Sequence, residues 1–138
     1  MKRVLVVDDD TNTLEFLNIA LTQEGYYPVC ARTSIDAFKE VQKEAPDIVI
    51  TDVKIPIMDG IELCAVIRAM HNIPIVIMTG AENVPRHREI WDFHLTKPVD
   101  VPDLVATINR LLKEGASKRL KEDADWLLGD DLDPKRAT

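Results

Sequence analysis

The feature that most constrains this chain is a set of short, wholly apolar runs, each closed by polar residues. Val4-Leu5-Val6-Val7 runs into Asp8-Asp9-Asp10, Ile48-Val49-Ile50 into Thr51-Asp52, and Ile73 to Met78 into Thr79. A strand wetted on one face alternates polar with apolar residues, whereas runs like these are covered on both faces, as in a parallel sheet. Helical stripes lie between them. Leu14, Phe16, Leu17, Ala20 and Leu21 predict a helix over Thr11 to Glu24, stopped by Gly25. Tyr27 to Ala31 reads as a second strand, and Thr33 to Glu44 as a helix with Thr33 and Asp36 at capping-box-like spacing. Asp59 is placed to cap a third helix from Gly60 to Met70. Pro74 sits near the start of its strand, where a missing donor costs least. Pro85 to Trp91 suits a short helix, Phe93 to Thr96 a weak fifth strand, and Asp100 to Lys113 a last amphipathic helix. This alternation predicts an α/β domain on a parallel sheet.

At 138 residues the chain fits one domain able to bury a core without staples. Its 24 acidic residues against 17 basic give a formal net charge of −7, which removes the counterion-release drive toward nucleic acid. Few apolar residues precede Asp8, too few for a signal-peptide core, and no apolar run is long enough to span a membrane. Cys30 and Cys64 are far apart without ligand spacing, and are expected to be small buried thiols in a reducing cytoplasm. After Gly115 the residues Ala116, Leu120, Ala124 and Leu127 predict a helical tail, so the expected division is a domain over 1–115 and a tail over 116–138. No effector domain is recognisable, so output is expected through contact with a protein, without membrane or direct nucleic-acid binding.

The chemistry lies at the strand ends. Asp8 and Asp9 close the first strand, Asp52 the third, Thr79 the fourth and Lys97 the fifth. In an open parallel sheet ligands bind outside the carboxyl ends of the strands. Three carboxylates in one crevice repel unless a cation offsets them, and hard oxygen ligands suit Mg²⁺. Mg²⁺ with a lysine and a hydroxyl meets the needs of phosphoryl transfer, in which a carboxylate can serve as nucleophile.

Four segments carry a resemblance: Val6-Val7-Asp8-Asp9-Asp10, Asp47 to Gly60 with Asp52, Pro56, Met58 and Asp59, Ile75 to Gly80, and Leu95-Thr96-Lys97-Pro98. In that order, each closing a predicted strand, they resemble the receiver domain of two-component response regulators over roughly residues 3 to 114. The resemblance implies a flavodoxin-like five-stranded sheet of order 2-1-3-4-5 with helices on both faces. It implies Asp52 as phosphoacceptor and Asp9, Asp52 and the Lys54 backbone carbonyl as Mg²⁺ ligands, with Asp8 acting through water. Thr79 and Lys97 would bind the phosphoryl group, and the Lys97-Pro98 bond would be cis. The donor would be a phosphohistidine on a sensor histidine kinase or phosphotransfer protein. The chain would be a switch, catalysing nothing beyond its own phosphorylation and dephosphorylation.

Other readings fit fewer residues. An EF-hand at Asp8 would need Gly at Thr13 and Glu at Ile19. A haloacid-dehalogenase-type phosphatase leaves Asp52 and the Pro56 to Gly60 loop without a role. A phosphorylation-independent interaction module would have no use for the complete set of Asp8, Asp9, Asp52, Thr79 and Lys97.

The sequence also departs from the family. The interval from Thr79 to Lys97 is short by roughly four residues, about one helical turn, which predicts a short or irregular fourth helix. Ile90-Trp91-Asp92-Phe93 replaces the usual Gly-Ala, and His94 stands where the family carries its switch aromatic. His71, His87 and His94 show no ligand spacing, and at least two are expected to be ordinary surface residues. Lys54 and Ala81 occupy positions that tune acyl-phosphate lifetime. Leu14, if exposed, would meet the helical bundle of the kinase.

Overall fold

A computed structural model describes residues 1–80 and 90–127, with side chains described through residue 115. Five strands, β1 (Arg3–Val7), β2 (Tyr27–Ala31), β3 (Ile48–Asp52), β4 (Ile75–Thr79) and β5 (Phe93–Thr96), pair in parallel in the order β2-β1-β3-β4-β5. Alternate side chains of the apolar runs leave the sheet on opposite faces. Leu5, Val7, Val49, Ile75 and Ile77 meet α2 (Ser34–Lys43) and α3 (Gly60–Met70). Val4, Val6, Ile48, Ile50, Val76 and Met78 meet α1 (Thr11–Gln23) and α4 (Val101–Leu127). Burying each such aliphatic side chain is worth about 1.5–3 kcal/mol, so the doubly apolar runs fix the central strands.

Helix starts follow the caps. Asp10, Thr33 and Asp59 accept the amides of Asn12, Asp36 and Glu62. Asp100 accepts the Asp103 amide at 3.1 Å at the head of α4. The ladder of β4 begins at Ile75 rather than Ile73, because Pro74 has no N–H and contributes its carbonyl to the Val49 amide instead.

Three expectations are corrected. Leu14 is 7% exposed and packs with Leu17 and Leu21 into the core, so it offers no docking surface; Phe16 and Ile19 are the exposed apolar residues of α1. Cys30 is exposed on the edge strand β2, while Cys64 is buried as expected. The last helix does not end before Gly115 but continues through it to Leu127. The short helix expected from Pro85 falls mostly on residues 81–89, outside the described residues, as do Ala81 and His87. Trp91, at the end of that segment, is buried against the face covered by α2 and α3.

Candidate functional site

β1 and β3 neighbour each other at the centre of the sheet, so their carboxyl ends bring Asp8, Asp9 and Asp52 together. One carboxylate oxygen from each lies within 4.8 Å of the others. Asp8 is fully buried, with one oxygen accepting the Asp10 amide at 2.9 Å. Its other oxygen lies 2.9 Å from the Lys97 ammonium, which is also 2.9 Å from Asp52 Oδ2. Lys97 reaches this position from the end of β5, where its amide donates to the Thr79 carbonyl at 2.8 Å and its bond to Pro98 is cis. Burial works against the lysine's charge, but hydrogen bonds to Asp52 and Asp8 and their negative charges outweigh it, so its pKa is raised.

Thr79 ends β4, beside the end of β3, and is 2% exposed. Among the described residues its hydroxyl has no hydrogen-bond partner. Leaving a buried hydroxyl unmatched costs about 1–3 kcal/mol, which points to a ligand that completes it. Lys54 follows on the loop after β3, its side chain exposed and its amide donating to Asp52 Oδ1 at 3.3 Å. The structure therefore brings Asp8, Asp9, Asp52 and Lys97 into one cluster and places Thr79 at the same sheet edge. Three carboxylates against one ammonium leave an excess of negative charge and hard oxygen donors, a set that fits a small divalent cation.

His94 lies on β5, half-buried, and pairs with Ile77. Its ring meets Trp91 edge-on at 5.6 Å and stacks near Phe93 at 6.3 Å, so it belongs to an aromatic cluster rather than to the carboxylate site.

In the sequence Gly60 stands at the start of a helix and at the end of the Asp47 to Gly60 segment, with no packing role assigned to it. A Cβ there would lie 2.1 Å from the Asp52 carbonyl oxygen and 2.9 Å from Val53 Cα. The close approach of α3 to the end of β3 depends on that missing atom, and the sequence signal was the Asp59-Gly60 pair itself. The Gly60 amide donates to the Val53 carbonyl at 2.8 Å, closing the loop that follows Asp52.

The sequence pattern described as the response regulator receiver domain matches residues 4–109. Among solved structures, a CheY-like response regulator receiver domain protein from Methanospirillum hungatei JF-1 is 27% identical, with a TM-score of 0.77 over 86% of this chain and 98% of that one. The signal receiver domain of a signal transduction histidine kinase from Syntrophus aciditrophicus is 28% identical, with a TM-score of 0.74 over 83% and 92%. NtrX from Brucella abortus is similar in fold, with 24% identity and a TM-score of 0.82; 90% of this chain matches 30% of NtrX.

Proposed function

The chain belongs to the response regulator receiver family, and from that premise we propose how its own residues run the phosphorylation switch. Asp52 is the phosphoacceptor. One of its carboxylate oxygens attacks the phosphorus of a phosphohistidine on a sensor kinase or phosphotransfer protein. The new O–P bond forms as the P–N bond breaks, and the departing imidazole keeps the electron pair and takes up a proton. Asp9, Asp52 and the Lys54 backbone carbonyl are the ligands that would hold Mg²⁺, with Asp8 behind them. When bound, Mg²⁺ neutralises charge on the phosphoryl oxygens.

Lys97 already sits 2.9 Å from Asp52 and can follow the charge onto a phosphoryl oxygen. Thr79 supplies a hydroxyl donor. Its lack of a partner while buried is the observation that carries this reading, because a phosphoryl oxygen at Asp52 would satisfy it.

The kinase or phosphotransfer partner meets the exposed Phe16 and Ile19 of α1, of which Phe16 shares a groove with Asp10 and Lys97 at the site. The receiver unit is residues 1–115, with residues 116–138 as its tail, and it works in the cytoplasm by contact with an output protein. No helix among the described residues is long and apolar enough to cross a membrane.

Intact mass after incubation with Mg²⁺ and a small acyl-phosphate donor tests the proposal. The wild type should gain one phosphoryl group and Asp52→Asn none. Equal labelling of both would remove Asp52 from the role. Absence of any adduct, together with absence of binding to beryllofluoride, would favour the phosphorylation-independent module.

A further inference from the structure

The loop after Asp52 contains a strained turn. The Met58 amide donates to the Pro56 carbonyl at 3.1 Å across Ile57, whose φ is +80°. A γ-turn of this hand is rare, and a β-branched residue at positive φ is an outlier in any setting. Ile57 is 74% exposed, so its own packing does not hold the turn in place.

Ser34, the first residue of α2, does. It is buried, and its hydroxyl accepts the Met58 N–H at 3.1 Å and donates to the Pro56 carbonyl at 3.3 Å. One side chain thus binds both polar groups that flank Ile57, from a helix on the other side of the loop. Ile55, which links Lys54 to Pro56, is buried beneath the loop. The second half exposes Pro56 and Ile57, and the hydroxyl ties it to the domain.

We infer that Ser34 is a positioning residue for the metal site. It fixes Pro56 to Met58 and so sets the path of the loop that supplies the Lys54 carbonyl, two residues upstream. This rests on the proposal that Asp9, Asp52 and that carbonyl hold Mg²⁺. A serine that served stability alone would alter melting and leave the cation's affinity unchanged.

Calorimetric titration with Mg²⁺ and melting in chelator, on Ser34→Ala, Ser34→Thr and Thr107→Ala, separate the two roles. Thr107 is a comparable control, a buried hydroxyl donating to the Asp103 carbonyl at 2.8 Å within α4. Ser34→Ala should weaken Mg²⁺ binding about 10-fold, the usual effect of losing a partner behind metal ligands, and Ser34→Thr should stay within about twofold of wild type. Threonine keeps the hydroxyl that binds both groups, and Ser34 lies at the edge of a groove lined by Ile35, Phe38 and Met58. Thr107→Ala should melt earlier with its Mg²⁺ affinity intact. Phosphorylation of Ser34→Ala from an acyl-phosphate donor should slow at low Mg²⁺ and recover at saturating Mg²⁺. An unchanged Mg²⁺ affinity in Ser34→Ala overturns the inference, whereas a wild type that binds no Mg²⁺ overturns the functional reading beneath it. If Ser34→Ala does not fold, amide exchange of the metal-free wild type decides. A protected Met58 amide is expected, and exchange there at the rate of an open loop amide would defeat the inference.

Discussion

Each end of the sheet closes on a cation held by carboxylate, and the two pairs differ in what is left over. At the amino end Arg68 Nη2 lies 2.7 Å from Asp92 Oδ2, and the guanidinium also reaches the carbonyls of Ile73 and Ile90 at 3.3 Å. Asp92 Oδ2 accepts the Ile75 amide at 2.8 Å as well, so the pair binds the start of β5 to β4 and to the end of α3. One charge meets one charge, and the Nη groups also bind strand-end carbonyls, although the buried Nε has no partner among the described residues. At the carboxyl end one ammonium faces three carboxylates, beside a buried hydroxyl without a partner. The same side-chain chemistry fastens the fold where it is balanced and leaves room for a ligand where it is not.

Removing each cation in turn sharpens that contrast. Lys97→Ala strips the fully buried Asp8 of its counter-charge and should cost about 3 kcal/mol in chelator. Added Mg²⁺ should restore much of the loss, since another cation enters the same field. Arg68→Ala should cost about 2 kcal/mol, because both members of the ion pair are partly exposed, and Mg²⁺ should not help. Denaturant titrations with and without Mg²⁺ measure both. Rescue of Arg68→Ala by Mg²⁺, or its absence for Lys97→Ala, would break the comparison.

Alkaline pH offers a gentler version of the same test, because Lys97 titrates and arginine does not. The folded pKa of Lys97 lies above its ordinary 10.5. Its contribution is therefore complete below that pH and is lost as pH rises through the folded value. Other groups decline in the alkaline range too. Burial pushes Cys64 from 9.0 up to about 12, raises Cys30, and together with the charge of Glu24 raises Tyr26. All lose stability as pH rises, so the informative quantity is the stability gap between wild type and Lys97→Ala. Above pH 10.5 that gap should narrow by up to about 1.4 kcal/mol per pH unit. The gap to Arg68→Ala should hold steady over the same range.

The carboxyl end was legible in the sequence and the amino end was not, for a physical reason. A buried parallel strand is mostly apolar, so the polar residues that follow each run mark its carboxyl end, and Asp8, Asp52 (one after Thr51) and Thr79 could be aligned without knowing the fold. Arg68 and Asp92 lie inside a helix and before a weak strand, where charged residues are ordinary, and their pairing depends on how α3 and β5 pack. The condition set on Leu14, exposure, fails because the helical stripe that includes it is the buried face, and Phe16, counted in the same stripe, is the exposed one. Phe16 and Ile19 are as apolar as Leu14 and Leu17, so the stripe of α1 reads as broader than the face that is buried. Cys30 misled similarly, since β2 is an edge strand with half-covered side chains. Ser34 shows the other kind of blindness. A serine at the start of a helix looks like capping chemistry, and nothing local indicates that its hydroxyl bonds a turn more than twenty residues away.

The smallest expected effect asks whether the excess charge at the carboxyl end is felt at all. Asp9 is exposed, within 4.8 Å of the other two carboxylates, and Lys97 bonds Asp8 and Asp52 instead. In the metal-free protein Asp9 then contributes mostly repulsion, which water and salt screen. Asp9→Asn should therefore raise the melting temperature by about 1–3 °C in chelator at low salt, and the gain should fade in high salt. The same substitution removes a cation ligand, so the rise that Mg²⁺ gives the wild type should be lost or much reduced. A gain of equal size from Asp92→Asn would mean that deleting a carboxylate stabilises either end alike. Asp92 is paired one to one and holds the Ile75 amide, so its neutralisation should instead lower the melting temperature. Opposite signs at the two ends would show that the asymmetry of charge, and not the mere presence of acids, sets the site apart.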